Sequence, residues 1–92
     1  MEFEWHDAKN KTNVVKHGID FEYAIAIFGD SNRLCRTDTR RAYGEVRFIT
    51  IGAIEAYTYV VVYTKRNERI RIISARRANR YEKQSYYSHL GT

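Results

Sequence analysis

The hydrophobic period of the chain changes once, close to residue 33, and this change constrains the fold more than any other feature of the sequence. Before residue 33, apolar side chains recur at steps of three and four, which is typical of a helix with one buried face. The clearest run contains Phe21, Ala24, Ile25 and Phe28. After residue 33, apolar and polar residues alternate over short segments, as they do in strands. The sequence therefore predicts an α+β fold with helices first and a sheet after them.

Capping and turn residues set the expected ends of these elements. Asp7 and Asp20 are candidate N-caps, and Gly18 is a candidate left-handed residue at the end of the first helix. Turn residues near 42–44 and 66–68 indicate hairpins. The predicted order is an edge strand over 3–5, helices over about 8–17 and 21–29, strands over about 33–38, 45–52, 57–65 and 69–74, and a closing helix over about 75–89.

The strand predicted over 57–65 carries apolar side chains or Thr on both faces, which favours a central position in the sheet. The short connections between successive strands favour an antiparallel meander. We therefore expect an antiparallel sheet of four to five strands, with two N-terminal helices and one C-terminal helix packed on one face of it. A length of 92 residues fits a single domain spanning 1–92.

Several features of the sequence argue against a secreted or membrane protein. The longest dense apolar stretch, over 59–63, is far shorter than the roughly 18 residues that a membrane span needs. The first residues lack the basic and apolar regions of a signal peptide. A single cysteine, Cys35, cannot form a disulfide within the chain. These features predict a cytoplasmic location.

The positive charge of the chain is unevenly distributed. The net charge is +5, and most of the excess lies after residue 30. Between residues 66 and 80, one acidic residue accompanies six arginines: Arg66, Arg69, Arg71, Arg76, Arg77 and Arg80. A basic segment of this kind favours a polyanionic partner such as a nucleic acid. A charged surface that serves only solubility is the alternative.

The arginines near the predicted start of the closing helix form the first candidate site. We expect Arg76 and Arg77 in the first turn of that helix, where free N–H groups and guanidinium groups together would bind phosphate. Arg71 lies on the preceding strand. The alternative is that these arginines pair with carboxylates inside the chain: Glu45, Glu55 or Glu82.

Two further groups of residues are candidates for proton transfer and phosphate binding. Glu45 and Arg47 share one strand face, where they would form either an acid–base pair beside a phosphate or an ordinary surface ion pair. Four residues lie near one side of the first helix: Lys9, Asn13, Lys16 and His17. An imidazole with a pKa near 6.5 suits proton transfer at neutral pH, although a histidine before a glycine also serves simply to end a helix.

The sequence contains no motif for a metal or a nucleotide cofactor. The three histidines and Cys35 are scattered without the spacing of a zinc site, and no phosphate-binding glycine loop occurs. Cleavage of RNA requires no metal, because the neighbouring 2′-hydroxyl can attack the phosphorus when a base, an acid and cations surround it. We therefore expect no cofactor.

Five segments carry a resemblance to a known family: Phe3-Glu4-Trp5, Lys16-His17-Gly18-Ile19, Arg47-Phe48-Ile49, Val60-Val61-Val62-Tyr63-Thr64 and Ile70-Arg71-Ile72-Ile73-Ser74-Ala75-Arg76-Arg77-Ala78. Their combination covers nearly the whole chain and resembles the BrnT toxins of type II toxin–antitoxin systems. The resemblance implies a RelE-like fold and a metal-independent endoribonuclease activity that inhibits translation. It also implies a hetero-oligomer with a BrnA-like ribbon–helix–helix antitoxin, which alone would contact operator DNA.

With the resemblance, seven residues become the expected active surface: Lys9, His17, Glu45, Arg47, Arg71, Arg76 and Arg77. Glu45 or His17 would act as base or acid. Three arginines (Arg71, Arg76 and Arg77) would hold the scissile phosphate, while Lys9 and Arg47 would hold neighbouring ones. Two alternatives remain: a basic module that binds RNA or ribosomes without cutting, and a subunit whose basic face only contacts an acidic antitoxin.

Overall fold

A five-stranded sheet with helices on both faces forms the core of the computed structural model, which describes residues 1–40 and 42–91. The strand order is β1-β5-β4-β3-β2, so the predicted central position of β4 is confirmed. The elements in chain order are β1 (Glu2–Trp5), α1 (Asp7–His17), α2 (Phe21–Ala24) with a 3₁₀ helix (Ile25–Gly29), β2 (Leu34–Thr37), β3 (Arg47–Ile54), β4 (Tyr57–Arg66), β5 (Arg69–Arg77) and α3 (Arg80–Leu90).

The sheet is mixed, so the prediction of an antiparallel sheet is wrong for one pair of strands. Strands β2 to β5 form the expected antiparallel meander. Strand β1 instead pairs in parallel with β5, from Glu2 opposite Arg69 to Trp5 opposite Ile72. Short hairpins fix the direction of the other strands, whereas β1 reaches its partner only after the whole of the intervening chain.

The helices cover both faces of the sheet, so the prediction that they share one face is wrong. Phe21 and Ile27, from α2 and the 3₁₀ helix, pack with Val61 in one buried cluster. Tyr86 of α3 packs with Val60 in a second cluster on the opposite face. The cause lies in β4, whose apolar side chains on both faces each need cover from water. We call these the α2 face and the α3 face.

The closing helix begins later than predicted, and β5 is correspondingly longer. Helix α3 starts at Arg80, because Asn79 and Glu82 form a capping box in which each side chain accepts a hydrogen bond from the backbone of the other residue. The residues before it continue the pairing with β4, up to Arg77 opposite Tyr59. The prediction that Arg76 and Arg77 lie in the first turn of a helix is therefore wrong, since both belong to β5.

A β-bulge in β5 decides which way these two arginines point. Val62 pairs with Ser74 and the next residue of β4, Tyr63, pairs with Ile72, which leaves Ile73 as an extra residue. Side chains alternate along a strand, so one extra residue exchanges the faces of everything beyond it. As a result, Arg76 lies on the α3 face and Arg77 lies on the α2 face.

Most of the predicted helix ends agree with the structure. Gly18 follows α1 in a left-handed conformation with φ of 70°, and Asp20 caps α2 by accepting a hydrogen bond from the N–H of Glu22. The N-cap of α1 is His6 and not Asp7, and its side chain makes no capping hydrogen bond. The second predicted helix is α-helical only over Phe21–Ala24 and continues as a 3₁₀ helix.

Asn13 fixes α1 along β5, just beyond the point where β1 stops. Its buried Nδ2 donates to the carbonyl oxygens of Ala75, at 2.8 Å, and of Ile19, at 2.9 Å. Its Oδ1 accepts from the N–H of Ala75 at 3.1 Å. The amide therefore replaces a neighbouring strand by satisfying both backbone groups of Ala75. This anchor sets the position of every other side chain on α1.

Candidate functional site

A positively charged cleft lies between α1 and β5, and we call it the α1–β5 cleft. Its volume is about 430 Å³. The residues that line it are His6, Ala8, Lys9, Thr12, Asn13, Lys16, His17, Ile73 and Ser74. This lining contains two lysines and two histidines but no carboxylate, so the cleft suits an anionic ligand.

The helical spacing of α1 brings the cations of the cleft together. Lys9, Lys16 and His17 lie on the side of α1 that Asn13 holds against β5. On the opposite wall, the bulge places the hydroxyl-bearing Ser74 in the lining. Neither lysine takes part in an ion pair among the described residues. Both ammonium groups therefore remain available to a ligand.

His17 is the group in the cleft best suited to accept a proton. Partial burial lowers its pKa below the ordinary 6.5, and the positive charges of Lys16 and Arg76 lower it further. The imidazole is consequently mostly neutral at pH 7, and the neutral form has a lone pair that can take a proton from a hydroxyl group. Arg76 follows Ala75, the residue to which Asn13 of α1 is bonded, and its charge therefore acts on His17 at this end of the cleft.

Glu45 lies in the bend that precedes β3, within electrostatic reach of Lys9 but without an ion pair to it. The Arg66 Nη2 atom is 3.0 Å from one carboxylate oxygen of Glu45, and the Arg47 Nε atom is 3.8 Å from the other. The Arg66 hydrogen bond lowers the pKa of Glu45 despite burial, and the charges of Arg66, Arg47 and Lys9 add to this effect. Glu45 is therefore an ionised carboxylate that is already neutralised by arginine.

A buried carboxylate fixes the Tyr43 side chain, which lies next to the start of β3. Asp38 accepts hydrogen bonds from Arg40 Nε at 2.8 Å, from Arg40 Nη2 at 2.9 Å and from the Tyr43 hydroxyl at 2.9 Å. The Arg40 hydrogen bonds hold the pKa of Asp38 far below its ordinary range. The Tyr43 ring, fixed in this way, lies 3.9 Å from the guanidinium carbon of Arg47.

Two of the predicted phosphate-binding arginines are held by carboxylates of the chain. Arg71 donates to Glu4, which lies opposite it on β1. Arg76 makes two hydrogen bonds to Glu82, at 2.8 and 2.7 Å. The Arg76 bonds lower the pKa of Glu82, against the effect of burial. The alternative of internal ion pairs is therefore confirmed for both arginines, although the partner of Arg71 is not one of the three carboxylates considered from the sequence.

Arg77 lies apart from the other candidates, on the α2 face. Its guanidinium carbon is 3.9 Å from the centre of the Tyr57 ring. The structure therefore places Lys9 and His17 in one cleft, with Glu45 and Arg47 near Lys9 and with Arg76 near His17. Arg71 is bound to Glu4, and the expected convergence of all seven side chains does not occur.

The expected site did not include several residues that line the cleft, Lys16 and Ser74 among them. Lys16 was recognisable, because it lies seven residues after Lys9 on the same helix. Ser74 was not, because its place in the lining depends on the bulge at Ile73. Across residues 1–40 and 42–91 there is no group of three side chains that could hold a metal ion. Nor is any helix in these ranges long and apolar enough to cross a membrane.

A cation-lined cleft with a mostly neutral imidazole belongs to the class of small basic proteins whose surface suits a polyanionic ligand. Comparison with protein families makes this specific: the model described as ribonuclease toxin, BrnT, of type II toxin–antitoxin system matches residues 5–82. The chain belongs to this family, which confirms the resemblance found in the sequence. Membership implies an RNA substrate and an antitoxin partner. No curated protein shows significant sequence similarity to the chain.

Proposed function

We propose that the chain is a metal-independent endoribonuclease that inhibits translation and holds the scissile phosphate in the α1–β5 cleft. One observation carries the proposal: Lys9, Lys16 and His17 converge in a cleft whose lining has no carboxylate. Family membership independently supports ribonuclease chemistry.

In the proposed reaction, the neutral imidazole of His17 takes the proton of the 2′-hydroxyl group. The freed oxygen attacks the adjacent phosphorus, and the bond from phosphorus to the 5′-oxygen breaks. The products are a 2′,3′-cyclic phosphate and a 5′-hydroxyl group, which takes its proton from solvent. Lys9 and Lys16 stabilise the negative charge that grows on the phosphate oxygens during attack. Every atom of this step is supplied by RNA, His17 and water.

The other predicted residues have supporting roles in the proposal. Glu45 is bound to Arg66, so His17 is the better base. Arg47, close to the same carboxylate, binds a phosphate next to the one that is cleaved. Arg76 acts through His17, since its charge helps to keep the imidazole neutral. We assign no phosphate contact to Arg71, because Glu4 already occupies its guanidinium group.

The partner in this proposal is a BrnA-like ribbon–helix–helix antitoxin, which forms a hetero-oligomer with the toxin in the cytoplasm and carries the contacts to operator DNA. Membership of a toxin–antitoxin family supports such a partner. The cleft lining contains cations and no carboxylate, which favours an antitoxin segment that is acidic. Opposite charges speed the association of two proteins, and like charges disfavour incorrect partners.

Cleavage of labelled single-stranded RNA by the purified chain in EDTA tests the enzymatic proposal. We expect His17→Asn to lower the rate by about 100-fold or more, and Lys9→Met or Lys16→Met by about 10-fold or more. Lys83→Met is the charge-matched control, because Lys83 is exposed on α3 outside the cleft. The parent rate should rise with pH to a plateau, with a midpoint below pH 6.5.

Two results would contradict the proposal. Full activity of Lys9→Met or His17→Asn, with circular dichroism like that of the parent, would show that the reaction does not take place in the cleft. If the chain binds RNA in a strongly salt-dependent manner and the RNA stays intact, the result would instead favour a module that binds without cutting.

A further inference from the structure

Two exposed tyrosines, Tyr23 and Tyr57, and Arg77 surround the buried ring of Tyr59 on the α2 face, and we call this surface the Tyr57–Arg77 patch. The Arg77 guanidinium lies 3.9 Å from the ring centre of Tyr57 and 5.9 Å from that of Tyr59. Tyr23 packs edge-on against Tyr59, with ring centres 5.9 Å apart. Tyr57 is 51% exposed and Tyr23 is 40% exposed. Large aromatic faces at this exposure are available to a ligand.

Arg77 differs from the other arginines of the expected site in its charge environment. Arg47, Arg71 and Arg76 each lie close to a carboxylate. Arg77 forms no ion pair with any carboxylate of the described residues, and its side chain is exposed. A guanidinium that stacks on a ring keeps the N–H groups at its edge free, and these groups match a phosphate in geometry.

The patch lies at the end of the strand that forms one wall of the α1–β5 cleft. Asn13 is bonded to Ala75, and His17 lies one helical turn further on, close to Arg76. The cleft therefore runs towards the end of β5. Arg77 follows Ser74 by three residues, which is about 10 Å along a strand. Because Ser74 and Arg76 lie on the α3 face whereas Arg77 lies on the α2 face, a strand of RNA that leaves the cleft past the end of α1 would reach the patch by crossing the edge of the sheet at the end of β5.

We propose that the Tyr57–Arg77 patch is a second RNA-binding surface, where an unpaired base stacks on tyrosine while Arg77 binds the adjoining phosphate. Stacking on aromatic side chains is how proteins commonly hold single-stranded nucleic acid, because every base has a flat face. This inference rests on the proposed function, since RNA is taken as the ligand. A hydrogen bond with Tyr59 raises the pKa of Tyr23 to about 12, and burial adds to the shift, so this ring stays uncharged beside a phosphate.

Binding of an RNA that cannot be cleaved separates this inference from the enzymatic proposal. The probe is a fluorescent single-stranded RNA with 2′-O-methyl groups at every position, and its dissociation constant is measured by anisotropy. We expect Tyr57→Leu and Arg77→Gln each to weaken binding about 10-fold. Tyr57→Phe keeps the ring and should bind like the parent. Tyr81→Leu is the matched control, because Tyr81 is an exposed tyrosine on α3, outside the patch.

The outcomes distinguish the two proposals. Unchanged RNA affinity of Tyr57→Leu and Arg77→Gln would contradict RNA binding by the patch, even if the parent cleaves RNA. Weaker binding of the antitoxin, with RNA affinity unchanged, would also overturn it and assign the surface to the protein partner. If both variants bind RNA more weakly and the parent protein cleaves no RNA, the result would support RNA binding by the patch and contradict the ribonuclease proposal.

Discussion

Gly52 of β3 lies beneath the 3₁₀ helix, in a place without room for a side chain. A Cβ atom there would be 2.7 Å from Cγ1 of Ile27 and 3.1 Å from Cβ of Arg33. Both neighbours would have to move, so Gly52→Ala should lower the free energy of unfolding by about 1–3 kcal/mol. Gly29→Ala is the control, because a Cβ at Gly29 would contact nothing within 4 Å. Urea denaturation measures both, and equal stability of the two variants would contradict the packing argument.

The hairpin turn between β4 and β5 accommodates a residue that is unfavourable in its conformation. Asn67 and Glu68 connect β4 to β5 with φ angles of 49° and 69°, a conformation in which glycine is favoured and glutamate is strained. We expect Glu68→Gly to raise the free energy of unfolding by about 0.5–1 kcal/mol, after allowance for the greater freedom of glycine in the unfolded chain. Glu68→Ala removes the carboxylate but keeps Cβ, so it should give no gain. A gain of the same size in both variants, in thermal or urea unfolding, would assign the effect to charge.

At this scale the sequence predicts elements better than it predicts their ends. A helical period indicates the segment over 21–28, and a continuous apolar run indicates β4. The fixed geometry of a helix is enough to group Lys9 with His17. The spacing of Ala75 and Ala78 also imitates a helix, which conceals the last residues of β5. The capping box of Asn79 and Glu82 is a pattern that can be recognised in the sequence, and it marks the observed start of α3.

Over the whole molecule, the parts that sequence reasoning missed depend on contacts between distant residues. The parallel pairing of β1 joins Glu4 to Arg71, which are far apart in the chain. The bulge at Ile73 depends on the register between two strands and decides that Arg76 meets Glu82. The local periodicity of the sequence predicts neither the parallel pairing nor the bulge. The arginine-rich segment is therefore largely neutralised inside the fold, since Arg66, Arg69, Arg71 and Arg76 pair with carboxylates. Lys9 and Lys16 of the α1–β5 cleft and Arg77 form no ion pair among the described residues.

The attachment of α3 to the sheet should make the stability of the whole molecule sensitive to acid. The Arg76 hydrogen bonds hold the pKa of Glu82 below the ordinary 4.5, although burial opposes them, and the Asn79 N–H assists. Because the unfolded chain then binds the proton more readily, this stabilisation is complete above about pH 5 and is lost as the pH falls through the folded-state pKa. We expect Glu82→Gln to flatten the decline in the free energy of unfolding below pH 5, measured by urea denaturation at each pH. Glu22→Gln, at an exposed site in the first turn of α2, should keep the slope of the parent, and the same slope in all three proteins would show that the Arg76–Glu82 pair does not couple α3 to pH.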